Sequence, residues 1–416
     1  MRKVLIAVGI VVGVIVVASQ ARAQENSMFI YGTVTTIKGD TYTGTMRWGS
    51  DEVYWVELFN GEKTSNDFLK FLSRKEIETL QGEAEGNSWL GIDWDVMSIW
   101  EDKFSNTSHR FDTRFGDIKS IEPTGKDEAR LTLKNGVILE LDGGSSEDVG
   151  TTIRVYDYEL GEIKVPWSRI EKIEFEQASE APSYTFGKPI YGRVDAGRKG
   201  VFQGIVQWDK DERFQEEMLS GDDRSGRRDI PFSSIQRIRK NRNGSEVTLK
   251  SGREFFLTGT NDVNNDNRGI VVNDPNVGQI VIPWRDFVEI ELISEEVEGF
   301  RYNDFEVSQG LTATVVTIDG DDYSGLMAFD LDEAWEFEIL DGKDDNVQYD
   351  IPMRNIKNII PKNYNYSTII LRDGTELLLG DERDVSDKNS GVLIFTSRDD
   401  DPVYVKWSRI DEIIFD

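Results

Sequence analysis

The chain of 416 residues contains no cysteine and a single histidine, His109. Without cysteine an exported protein cannot rely on disulfides, so buried apolar area has to hold it together. The same shortage excludes a thiol nucleophile and leaves no His/Cys cluster for structural zinc or a transition metal. Positive charge is also scarce: 48 Lys and Arg face 77 Asp and Glu, for a formal charge of −29. That balance repels nucleic acid and anionic membrane surfaces. No G-x-S-x-G elbow and no glycine-rich phosphate loop occurs. The one long apolar run, Val4 to Ala18, follows Met1-Arg2-Lys3 and precedes Ala21-Arg22-Ala23. It reads as a secretory signal, residues 1–23, cleaved after Ala23, the alternative being an uncleaved anchor. Cleavage leaves no transmembrane segment and places the chain outside the cytoplasm, secreted or in the periplasm or cell envelope.

What is present is a motif, an aromatic residue or Met followed at +3 and +6 by large apolar residues. It occurs at Phe115/Ile118/Ile121, Trp167/Ile170/Ile173, Phe232/Ile235/Ile238, Trp284/Phe287/Ile290, Met353/Ile356/Ile359 and Trp407/Ile410/Ile413. Short and long steps alternate between the copies, which predicts three tandem repeats of two related halves each. The repeats are bounded at 28–176, 188–293 and 308–416. Their first halves align without a gap from Gly44 to Gly61, Gly204 to Gly221 and Gly325 to Gly342. Between those glycines fall Trp48/Trp208/Phe329, Tyr54/Phe214/Trp335, Glu57/Glu217/Glu338 and the acidic pairs Asp51-Glu52, Asp211-Glu212 and Asp332-Glu333.

The second halves open on period-two segments around Asn135-Gly136, Ser251-Gly252 and Asp373-Gly374, which predict hairpins closed by two-residue turns. Each hairpin leads to a glycine, an Asp-Val pair and the terminal motif. Apolar spacing of three, often introduced by proline, suits one 3₁₀ turn running into a strand. The Gly200/Phe202/Gly204 spacing and the glycine-acid turn from Gly259 to Asp262 make the pattern resemble small SH3-like and Sm-like barrels. The resemblance implies an all-β fold of two small barrel halves per repeat, and no particular function.

Only the first repeat carries an insertion, about residues 66–110. Phe68, Leu69, Phe71, Leu72, Ile77 and Leu80 fit one face of a short helix capped by Asn66 or Asp67 and ended by Gly82. Trp89, Trp94 and Trp100 follow among acidic residues and are the candidate ligand-binding aromatics, with Trp55 a further indole outside the repeat pattern. The triplicated acids invite a glycosidase reading, but a catalytic pair is normally built once. Turn chemistry and, for the glutamates, a solvent-facing strand position explain them better. Asp262, Asn264 and Asp266 alternate as oxygen ligands do in a calcium loop, without the glycine and bidentate Glu of an EF-hand. Against the acidic background stands one basic stretch, Arg224 to Arg242, a neutralising surface or a dock for an anionic partner. The expectation is a non-catalytic binding or scaffolding protein that needs no cofactor beyond a possible calcium ion. Its partner is another protein or a polysaccharide. The alternatives are a calcium-stabilised adhesive or envelope protein and a hydrolase sited near the tryptophan-rich insertion.

Overall fold

The computed structural model describes residues 28–77, 80, 110–144, 146–178, 186–293, 301–397 and 401–416. The signal segment, His109 and Trp89, Trp94 and Trp100 lie outside them. Among the described residues, thirty strands, all paired antiparallel, and nine short 3₁₀ turns make up nearly all of the regular structure. In residues 28–176 the strands are β1 (Tyr31–Thr36), β2 (Thr41–Trp48), β3 (Leu58–Lys63), β4 (Arg110–Arg114), β5 (Ile118–Pro123), β6 (Glu128–Leu133), β7 (Ile138–Asp142), β8 (Ile153–Asp157), β9 (Gly161–Val165) and β10 (Ile170–Phe175). They form one sheet in the order β4-β3-β7-β6-β5-β10-β1-β2-β8-β9.

The next ten are β11 (Tyr191–Asp195), β12 (Val201–Gln207), β13 (Met218–Asp223), β14 (Gly226–Pro231), β15 (Ile235–Asn241), β16 (Gly244–Leu249), β17 (Glu254–Leu257), β18 (Ile270–Asp274), β19 (Gly278–Ile282) and β20 (Glu289–Leu292). Eight of them pair as β17-β16-β15-β20-β11-β12-β18-β19. The hairpin β13-β14 is joined to this path only by the Asp222↔Thr258 bridge. The last ten are β21 (Thr312–Thr317), β22 (Asp322–Ala328), β23 (Ile339–Asp344), β24 (Val347–Pro352), β25 (Ile356–Pro361), β26 (Tyr366–Leu371), β27 (Glu376–Gly380), β28 (Val392–Phe395), β29 (Val403–Val405) and β30 (Ile410–Phe415). Their path is β24-β23-β27-β26-β25-β30-β21-β22-β28-β29. Adding twenty to each label of the first path gives the last, and adding ten gives the middle one. A further pairing, β19 to β24, fuses the middle and last paths into one eighteen-stranded sheet. Among the described residues no sheet closes on itself.

The centre of each path is the meeting of two terminal motifs. Ile121 pairs with Ile173, Ile238 with Ile290 and Ile359 with Ile413. Outward from that pair run two five-stranded arms, β5-β6-β7-β3-β4 and β10-β1-β2-β8-β9, whose labels differ by five modulo ten. The arms do not coincide with the halves of the sequence: the whole β3–β7 arm is inserted into the other between β2 and β8. Period-two alternation shows that a segment is a strand but carries nothing about its partner, so this exchange is invisible in the pattern.

All six motif anchors, Phe115, Trp167, Phe232, Trp284, Met353 and Trp407, are at most 5% exposed. Five open a 3₁₀ turn whose last N–H returns to the anchor's carbonyl. At Trp284 the turn is wider, Phe287 N–H bonding Pro283 O at 3.1 Å. Where proline is missing, Arg114 and Lys406 adopt the same extended backbone, with φ of −74° and −62°. Trp48, Trp208 and Phe329 fill the arms from the opposite side at 0% exposure, Trp48 packing on Phe115 and Trp208 on Phe232. Burying one such ring fully is worth about 1.5–3 kcal/mol, and the fold repeats the arrangement throughout.

Three expectations need correction. The hairpin turns are three-residue loops: Gly136 N–H returns to Leu133 O, Leu133 N–H reaches Val137 O, and only the glycine has positive φ. A right-handed residue followed by a left-handed glycine is the bulged alternative to the two-residue turn. The helix of the insertion is broken into a 3₁₀ turn at Leu69–Phe71 and helical residues at 74–77 and 80. Phe68 stands at the N-cap of the first without a side-chain cap, its own N–H held by Asn66 Oδ1, and Ser73 and Glu76 bond reciprocally at the start of the second. Leu69, Leu72 and Leu80 pack on Ala328, Leu331 and Leu393 of the last ten-stranded path. Trp55, finally, is fully buried against Tyr302 at 4.6 Å and Phe175 at 5.8 Å, with no face free for a sugar.

Candidate functional site

The triplicated acids form three corners built to one plan. Between β2 and β3 the chain turns sharply so that Trp48 bridges Glu52, Trp208 bridges Glu212 and Phe329 bridges Glu333. The turn needs a left-handed residue just after the aromatic, met by Gly49 at φ 56°, Asp209 at 52° and Asp330 at 46°. Five residues after the bridged glutamates, Glu57 accepts the N–H groups of Val53 and Tyr54, Glu217 those of Arg213 and Phe214, and Glu338 those of Ala334 and Trp335. Glu57 and Glu338 are 2–3% exposed, so the solvent-facing position expected for these glutamates is wrong for both. They cap a loop from inside, where a carboxylate satisfies two donors at once.

Across each corner lies the Asp of the Asp-Val pair. Asp148, Asp262 and Asp384 accept the backbone N–H of Asn60, Ser220 and Asp341 at 2.8, 2.7 and 2.8 Å. Their carbonyls hold the indole N–H of Trp48 and of Trp208 at 2.9 Å, while Phe329 has none to give. Burial and neighbouring carboxylates then push the facing glutamates up: Glu52 to about 9, Glu212 to about 8, and Glu333 well above its ordinary value. Oε2 of both Glu212 and Glu333 is buried without a hydrogen-bond partner.

The corner of the last path also gathers three carboxylates. Carboxylate oxygens of Asp330, Glu333 and Asp384 lie within 4.8 Å of one another. Hard oxygens at that spacing suit calcium, although Arg383 already pairs with Asp330 at 2.5 Å. The calcium ligands expected from sequence lie in the loop between β17 and β18. Asp262 is turned to Ser220 N–H, Asn264 Oδ1 accepts from Asp266 N–H at 2.7 Å, and Asp266 is exposed.

The corners also knit the molecule together. Glu57 takes a second pair of donors, Arg213 and Gln207, from the middle ten strands. Glu338 takes Lys63 of β3 at 2.5 Å, and the same ammonium reaches Asp332 at 2.9 Å. Burial works against the charge of Lys63, but Asp332 and Glu338 outweigh it and hold the group above its ordinary value. Lys63 and Arg213 were missed in the sequence reading. Their one signal is parity: Lys63 follows Phe59 and Gly61 on the inward side of β3.

Two further features have the shape of binding sites. A cleft of about 260 Å³ sits where all three segments meet, lined by Arg114, Gln279, Phe305, Asp350 and Arg354. Its arginines are engaged, Arg114 with Asp117 at 3.2 Å and Arg354 with Asp117 at 2.6 Å. The other is a groove of about 670 Å³ near the start of β14, lined by Arg224 and Arg242 of the basic stretch together with Asp223, Glu246, Glu254, Phe255 and Phe256. Among the described residues no helix is long and apolar enough to cross a membrane. No family model, curated protein or solved structure matches the chain.

Proposed function

We propose that this chain is a non-catalytic binding or scaffolding protein of the periplasm or cell surface, made of three copies of one ten-stranded unit. Each unit consists of two interleaved arms of SH3-like type. The observation that carries the reading is the shared strand path, which recurs under shifts of ten and twenty. Within an arm the order β10-β1-β2-β8-β9, with a 3₁₀ turn between β9 and β10, is the strand order the SH3-like resemblance implies. The acids that recur with it are engaged in capping and in joining the units, which leaves them structural work in every copy. A chain of linked β units presents a long surface, suited to holding a partner protein or polysaccharide at several points. To test it, the exported chain is assayed against glycoside, ester and peptide substrates and, in parallel, against immobilised envelope polysaccharides and proteins. Saturable binding without turnover supports the proposal, and turnover sinks it.

The Asp330/Glu333/Asp384 group favours a second reading, a calcium-stabilised envelope protein. Calcium then raises the melting temperature and chelator lowers it, and Asp384→Asn abolishes the difference.

A further inference from the structure

The strands equivalent to one another at the outer end of each path meet different fates. β24 is paired on its free side by β19, with Ile280 opposite Tyr349. β4 packs against the last path, Arg110 reaching Asp341 at 3.2 Å and Phe111 meeting Phe337. The third equivalent, β14, pairs only with β13 among the described residues, and its first four residues are exposed or half-exposed. Among the described residues this molecule therefore uses that edge for strand addition in one place and leaves it open in another.

Arginines gather at this edge, with the acids Asp223, Glu246 and Glu254 beside them on the neighbouring groove. Arg227 and Arg228 lie on β14 itself, Arg224 in the turn before it, and Arg242 and the ring of Phe256 on the neighbouring groove. Asp229 and Asp223 pair with Arg227 at 3.0 Å and with Arg228 at 2.7 Å, but among the described residues Arg224 and Arg242 have no ion-pair partner. Arg228 and Arg253 both lean on Phe255, which fixes two guanidinium groups over an aromatic face. On a chain of formal charge −29 such a patch selects an acidic partner. An unpaired edge supplies backbone donors and acceptors in register for an extended one.

We propose that β14 is a docking edge for an acidic, extended segment of a partner protein, which adds as a strand beside Arg227 and Arg228. The inference rests on the binding reading above and gives it a site and a partner class. The partner strand takes the position that β19 occupies against β24, and its acidic side chains meet the arginines.

The test titrates the exported chain with a labelled peptide of alternating Glu and Val, about eight residues long. Two probes accompany it: the same peptide with alternate amides N-methylated, which keeps charge but cannot extend a sheet, and heparin. The parent peptide is expected to bind at least about tenfold more tightly than the methylated one, with affinity falling as salt rises. Arg227→Glu with Arg228→Glu should remove binding, and Arg224→Ala, a change in a turn, should weaken it severalfold while the melting curve stays unchanged. Equal binding of the methylated peptide, or heparin binding as tightly as the parent peptide, overturns the proposal in favour of a general anion surface. Absence of peptide binding in a chain that still captures a polysaccharide or protein sinks the site alone and leaves the binding reading standing.

Discussion

The two joints of this molecule are made of different materials. Residues 186–416 are held by a strand pairing, β19 on β24, that carries the sheet from one path into the next. Among the described residues, 28–176 share no strand with the rest and are attached by side chains: Glu57 with Arg213, Lys63 with Glu338, Arg354 with Asp117, Leu69 and Leu72 on Leu393, and a core that also takes in Phe214, Tyr302 and Phe337. A backbone joint depends on geometry and tolerates most side-chain changes. A joint of buried ions depends on each partner, because removal of one leaves the other charged and dry. The comparison teaches that the first segment is the one a point mutation can release.

Lys63→Ala should therefore have the largest effect. It leaves Glu338 and Asp332 uncompensated in the interior and is expected to cost about 3–5 kcal/mol. Chemical denaturation should show residues 28–176 unfolding first, and a single unchanged transition would deny the joint its role. Gly278→Ala attacks the other joint. Gly278 has φ +133°, and a Cβ there would stand 2.3 Å from Asp350 O, so β19 must move off β24 at a cost of about 1–3 kcal/mol. Faster hydrogen exchange confined to β19 and β24 is the expected readout.

Acidity should strengthen the molecule. Glu52 and Glu212, ordinarily near 4.5, stand at about 9 and about 8, and Asp112 and Asp384, ordinarily near 3.8, both at about 7. Burial is the first cause for all four. A carboxyl raised on folding contributes stability that is complete below its unfolded value and is lost as pH rises through its folded value. The melting temperature is thus expected to fall from pH 5 to pH 9, and a rise over that window would contradict the geometry of the corners. The smallest effect is Trp48→Phe. It removes the bond to Asp148 O and leaves the smaller phenyl that Phe329 carries in the last path, for about 1–2 kcal/mol by thermal denaturation.

Much of the local structure was legible in the sequence. The anchors at Phe115 or Trp407, the hairpins around Asn135-Gly136 and Asp373-Gly374 and the extended arginine in place of proline all follow from residues close in the chain. What was not legible depends on partners far away. β3 pairs with β7, and Glu57 is buried because Arg213 comes to meet it. Nothing within a strand announces either. Trp55 stands outside the repeat pattern and is core, because Tyr302, far along the chain, covers it.

The absence of cysteine makes the shared wiring directly measurable. Cysteine pairs placed at Ser120/Glu174, Arg237/Glu291 and Asn358/Ile414 occupy the same cross-strand position at the centre of the three paths. Mild oxidation of the folded protein should close all three disulfides at comparable rates and leave pairs displaced along one strand by two residues reduced. If any of the three stays open while its displaced control closes, the chain is not three copies of one unit.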